Sequence, residues 1–138
     1  MKPYDILDYR GRWLFIAYIN TSTCPHCPDL LKTLEGVKGR VGAKVAVLAM
    51  ALPPDNTATV NRFKAESKTI TPILFDSGQT AMWYFKATPQ HPSIDTPHVF
   101  AISPQGMIIR DWNQPETEAK GFAAEVEALA TRSTAGKQ

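Results

Sequence analysis

The residues predict an α/β domain in which a mixed central sheet is flanked by helices on both faces. Two features carry this expectation. Unbroken apolar runs at 13–19 and 44–52 are each followed by a segment with apolar residues at helical spacing, the pattern of strands joined by helical crossovers. Later in the chain, runs at 98–103 and 107–112 flank Pro104-Gln105-Gly106, a hairpin signal, so the parallel strands give way to an antiparallel pair. The expected order is β-α-β-α-β-α-β-β-α.

Trp13-Leu14-Phe15-Ile16-Ala17-Tyr18-Ile19 is the composition of a central strand covered on both faces. It runs into the polar residues Asn20-Thr21-Ser22-Thr23, and Pro25 then suits a first helical turn, where a missing N–H costs nothing. The helix is expected over 25–38, with Leu30, Leu31, Leu34 and Val37 on one face and Gly36, Gly39 and Gly42 bracketing its end. Asp29 in its first turn complements the helix dipole. The run 44–52 is the next buried strand, closed by Pro53-Pro54. Val60 and Phe63 among charged residues mark an amphipathic helix over 57–67, opened by Asn56 or Thr57. Residues 72–76 read as a short strand and 79–85 as a brief helix that packs Trp83, Tyr84 and Phe85 into the core. Prolines across 88–95 mark an unusually long loop with His91 at its surface. After the hairpin, Phe122, Val126 and Leu129 form the stripe of a helix over 116–131. Trp13 and Trp112 are expected in the core, and His98 is expected to be exposed at its strand end.

A chain of 138 residues suits a single domain, assigned to 1–132, with 133–138 as a flexible tail. At 43% hydrophobic and 20% charged residues, with a mean hydropathy of -0.21, it can build an ordinary core, which excludes a disordered linker. Fifteen Lys and Arg against 13 Asp and Glu give a net charge of +2, and the positive charges are scattered, so no nucleic-acid partner is expected. No apolar run approaches the ~20 residues needed to cross a bilayer. The first residues, Met1-Lys2-Pro3-Tyr4-Asp5, lack the pattern of a secretory signal, so the chain is expected to be either cytoplasmic or a mature fragment behind an added methionine. A monomer is expected.

The two cysteines lie three positions apart in Cys24-Pro25-His26-Cys27. A disulfide scaffold uses four or more cysteines, and a zinc site needs a second ligand pair that this sequence lacks, so neither a staple nor a metal site is expected. A thiol exchanges disulfides only as its thiolate, which the N-terminus of a helix and nearby positive charge stabilise. Cys24, between a buried strand and a helix, meets both conditions, with His26 supplying a cation or an N–H donor. Cys27, one turn further in, is expected to be less exposed. Cys24 is therefore assigned the exchange step and Cys27 the resolving step. Stabilising the reduced thiolate makes the disulfide more oxidising, so Pro25 and His26 between the cysteines argue for a donor of disulfides or an isomerase.

These residues resemble the thioredoxin superfamily over most of the chain, from Trp13 to Leu129. The pattern is most similar to the TlpA/ResA-like bacterial thiol–disulfide oxidoreductases, with a Cys24-Pro25-His26-Cys27 motif similar to the active site of DsbA. The resemblance implies a thioredoxin-like fold and a thiol–disulfide oxidoreductase that acts on protein substrates with a redox partner protein and no dissociable cofactor. It implies a cis bond at Thr96-Pro97 facing the cysteines, with the backbone of Thr96 pairing with a substrate peptide as an added strand. An oxidant of this kind belongs in the periplasm or another extracytoplasmic compartment, with the cytoplasm as the alternative. Some positions depart from the family: Thr23 precedes the first cysteine where Trp is common, Tyr18 stands where thioredoxins keep a buried Asp, and Pro28 follows Cys27.

Two other functions are weighed. A Sco-like copper chaperone would use the soft thiolates and an imidazole, but it spaces its cysteines more widely, and Asp95 stands where its ligand histidine belongs. A peroxiredoxin-type peroxidase is suggested by Thr21-Ser22-Thr23-Cys24, although Ala17 replaces the proline of that signature.

Overall fold

The computed structural model describes residues 11–21, 25–42, 44–51, 55–75 and 97–131. Cys24, Thr96 and the Thr96-Pro97 bond, the helix expected at 79–85 with its aromatic residues, the loop bearing Asp95 and His91, and the tail at 133–138 lie outside the described residues.

Strands β1 (Trp13–Ile19), β2 (Val45–Ala51), β3 (Ile73–Phe75), β4 (His98–Ile102) and β5 (Ile108–Trp112) form one sheet in the order β3-β2-β1-β4-β5. The first three run parallel, β4 is antiparallel to β1, and β5 is antiparallel to β4. Helices α1 (Cys27–Val41) and α2 (Thr57–Ser67) provide the crossovers between parallel strands, while α3 (Gln114–Thr117) and α4 (Phe122–Ala130) follow the hairpin. This is the thioredoxin-like arrangement.

All seven residues of β1 are buried, because it lies mid-sheet and alternation sends its side chains into two separate clusters. Trp13, Phe15, Ala17 and Ile19 pack with Leu31, Leu34, Val60, Phe63 and Val126 of the helices. Leu14, Ile16 and Tyr18 pack on the other face with Leu48, Phe100 and Ile102. Burying each large apolar side chain contributes roughly 1.5–3 kcal/mol, so β1 anchors the domain. Trp13 and Trp112 are both 1% exposed, as expected for core residues.

Glu35 fastens the approach to β3 onto α1. Its Oε2 accepts from the Thr69 hydroxyl, from the backbone N–H groups of Ile70 and Thr71 at 3.2 Å each, and from the Thr71 hydroxyl at 2.6 Å. On the opposite edge of the sheet, Arg110 donates through Nε to Glu125 of α4 at 2.8 Å, and the Trp112 indole donates to the same carboxylate at 2.9 Å. The Arg110 hydrogen bond holds the Glu125 carboxyl below its ordinary range, helped by Trp112 and opposed by partial burial.

Three expectations are corrected. The helix expected at 25–38 opens at Cys27 and runs to Val41, with Pro28 occupying the first-turn position assigned to Pro25. Its internal Gly36 and Gly39 are tolerated, and the chain leaves the helix at Gly42, whose φ of 96° favours glycine. The single helix expected at 116–131 is instead two. Asn113 caps α3 in a reciprocal pair with Glu116, and Gly121, a poor residue for a helix interior, becomes the N-cap of α4. Finally, His98 is not exposed: it is 1% accessible and paired with Asp111.

Candidate active site

The β1 strand ends at Ile19, and the turn beyond it leads to the start of α1. Cys27 is the first residue of that helix, is 0% exposed, and packs with the cluster that holds Phe15, Ala17 and Ile19. It is disulfide-bonded, in a chain whose two cysteines are Cys24 and Cys27. The expected asymmetry therefore holds on the Cys27 side: it is deeply buried, while Pro25 and His26 are exposed. His26 is the N-cap residue of α1, with helical backbone angles and no side-chain capping bond. Because α1 opens at Cys27, Cys24 precedes the N-cap by two positions instead of adjoining the helix, and Pro28 offers no N–H in the first turn.

The imidazole of His26 makes no capping bond and instead lies beside the end of α3. Its Nε2 lies 3.6 Å from Oε2 of Glu118, the residue that ends α3. The two border an open cleft of about 460 Å³ between α1 and the start of α4, together with Asp29, Leu30, Lys120 and Phe122.

On the other side of the turn, Asp55 holds the chain three residues ahead of Cys24. Its carboxylate accepts the Thr21 backbone N–H at 2.7 Å, the Thr21 hydroxyl at 2.5 Å and the Thr59 hydroxyl at 3.0 Å. Asn56 and Thr59 cap α2 reciprocally, so the turn before the cysteines is tied to a helix N-terminus that favours the Asp55 charge.

Pro97, buried, leads into β4, whose first residue His98 aligns with Tyr18 across β1. The His98 ring packs on Phe100 with centroids 4.8 Å apart, and its Nε2 meets Asp111 Oδ2 at 2.7 Å. Tyr18 meets Phe100 edge-on at 6.0 Å. The position where thioredoxins keep an acid is thus Tyr18, and the one buried carboxylate among the described residues is Asp111, on the sheet face opposite Cys27.

Sequence reasoning missed Asp55, Asp111 and Glu118. Asp111 carried a signal, being a charge inside an otherwise buried strand end. The other two meet their partners only through tertiary folding.

A model of the AhpC/TSA family matches residues 1–111. No curated protein matches the chain. Among solved structures, a thiol:disulfide interchange protein of the thioredoxin family from Chlorobium tepidum TLS has a TM-score of 0.72 at 16% identity, covering 94% of this chain and 86% of its own. A secreted disulfide oxidoreductase of Mycobacterium tuberculosis, described as homologous to E. coli DsbE, has a TM-score of 0.68 at 15% identity, covering 93% and 87%. The bacterioferritin comigratory protein of Xanthomonas campestris, studied for alkyl peroxide reduction, has a TM-score of 0.66 at 18% identity, covering 92% and 83%. At these identities the likeness establishes the fold. The chain belongs to the AhpC/TSA family, and its fold is thioredoxin-like.

Proposed function

We propose that the protein is a thiol–disulfide oxidoreductase whose Cys24–Cys27 couple exchanges with protein substrates as an oxidant or isomerase. The observation that carries this is Cys27, disulfide-bonded and fully buried at the first position of α1, with Pro25 and His26 exposed beside it. In the oxidising direction a substrate thiolate attacks the Cys24 sulfur, forming a mixed disulfide and releasing Cys27 as the leaving thiolate. A second substrate thiolate then attacks the substrate sulfur and releases Cys24, so two electrons enter the couple and the substrate gains a disulfide. A dithiol–disulfide partner protein takes those electrons away, and the cycle uses no dissociable cofactor. Substrate main chain pairs with the backbone of Thr96 ahead of Pro97, at the head of β4. Net transfer of disulfides requires a compartment where they persist, which supports a periplasmic or extracytoplasmic site of action.

Alkylation of the reduced protein tests the assignment of roles. Cys24 is expected to react rapidly near pH ~6 while Cys27 stays protected. Equal labelling of both thiols, with ordinary midpoints near ~8.5, overturns it.

Membership of the AhpC/TSA family and the likeness to the Xanthomonas protein favour a second function, peroxide reduction. There the Cys24 thiolate would attack a peroxide oxygen, release the alcohol and become a sulfenic acid, which Cys27 would condense to the disulfide with loss of water. Against it, the single hydroxyl proton of Thr21 is committed to Asp55 at 2.5 Å and is not available to a leaving alkoxide. His98 is likewise committed to Asp111, which disfavours a copper site built on it.

A further inference from the structure

The cleft beside α1 opens at His26, inside the exchange motif, and its border carries charge that the fold does not use. Leu30 and Phe122, 5% and 3% exposed, form an apolar base to its roughly 460 Å³. On the α1 side stands Asp29, exposed, whose carboxylate makes no hydrogen bond or ion pair among the described residues. On the facing side Glu118 receives the Gln114 side-chain amide on Oε2 at 2.6 Å, which fixes the carboxylate, while Oε1 accepts from no described residue. His26 Nε2 comes no closer to that carboxylate than 3.6 Å, beyond hydrogen-bond reach. Lys120, also on the border, pairs with neither acid, and two carboxylates against one ammonium leave the rim net negative. We propose that this cleft is a substrate subsite that selects polypeptides presenting a basic side chain next to an apolar one.

This rests on the dithiol-exchange function proposed above, because a polypeptide engaged by the motif is brought to the cleft mouth at His26. A carboxylate already ordered by a neighbouring amide meets a guanidinium or ammonium with charge-assisted hydrogen bonds and little further loss of freedom. The aliphatic stem of the same basic side chain, and the apolar residue beside it, cover Leu30 and Phe122. An acidic side chain at that position is repelled by both carboxylates, so the cleft discriminates as well as binds. Asp29 and Glu118 are therefore specificity-determining residues that touch substrate away from the sulfurs.

The test is NMR titration of the full chain with short peptides that carry serine in place of cysteine and differ only in the residue after a leucine, which is Arg, Gln or Glu. The Arg peptide is expected to shift the amide signals of Asp29, Leu30, Glu118 and Phe122. It should bind roughly tenfold more tightly than the Gln peptide at low salt, each exposed carboxylate contributing about threefold. Asp29→Asn and Glu118→Gln should each remove about threefold, and the double variant should bind the Arg and Gln peptides alike. Equal binding of the Arg and Glu peptides by the parent protein, shifts that avoid the cleft, or a preference that survives the double variant overturns the inference. So does free arginine amide binding as tightly as the peptide, because the site would then hold a small cation and not a polypeptide. The serine peptides cannot exchange, so binding is read independently of the cysteines. A parent that shows the preference but never exchanges with glutathione keeps the polypeptide site and loses the exchange function, whereas one that exchanges without the preference loses only the subsite.

Discussion

Replacing Cys24 with serine should abolish disulfide exchange, lowering turnover by more than ~10³-fold, because no second sulfur can form the substrate-linked bond. Cys27→Ser should give a different defect. Exchange would begin and then stall, since the buried leaving and resolving thiol is gone, and the variant should accumulate a Cys24-linked mixed disulfide with its protein substrates. Non-reducing electrophoresis with mass mapping distinguishes the two. The asymmetry follows from position: Cys27 is 0% exposed at the start of α1 and sealed beneath β1 side chains, so it is reached only from within the molecule. Mixed disulfides trapped on Cys27 in the Cys24→Ser variant would contradict the assigned roles. Loss of peroxidase activity together with unchanged exchange would instead favour peroxide reduction.

The second large effect is on stability. His98 and Asp111 are 1% and 4% exposed, and their side chains meet at 2.7 Å inside the sheet. Asp111→Ala leaves the imidazole buried without that acceptor, and breaking a buried pair of this kind costs about 3–5 kcal/mol. For a domain of this size the melting temperature should fall by roughly 10–20 °C. Asp111→Asn keeps an acceptor opposite Nε2 and should cost about 1–2 kcal/mol. Denaturant unfolding of the two variants checks both values, and an alanine variant within ~1 kcal/mol of the parent would sink the account. Because His98 directly follows Pro97, the alanine variant should also slow exchange by loosening the head of β4.

The two findings differ in how far they could be read from residues alone. The apolar runs of β1 and β2, the leucine stripe of α1 and the Gly106 turn are local patterns, and each became the element its period implies. Cysteine spacing after a strand likewise anticipated a buried Cys27 at the start of α1, whereas Cys24 lies outside the described residues. The burial of His98 was not legible, because it depends on the register between β4 and β5. That register slips between Ala101 and Ile102, so Ile108 and Asp111 face the same side despite their odd spacing, and strict alternation misplaces them. The break between α3 and α4 turned on competition between an apolar stripe and the capping chemistry of Asn113, Glu116 and Gly121. Asp55 and Glu118 were invisible for a different reason: their partners, Thr21 and His26, are distant in sequence and meet them only when crossovers and hairpin are in place.

The central claim is that Cys24 and Cys27 are a reversible, oxidising two-electron couple. Equilibrating the protein against defined ratios of reduced and oxidised glutathione, and counting free thiols by mass, measures it directly. The expected result is a single reversible transition between about -120 and -180 mV. A potential near about -270 mV would contradict the oxidising assignment, and two thiols that never interconvert with a disulfide would contradict the exchange function itself.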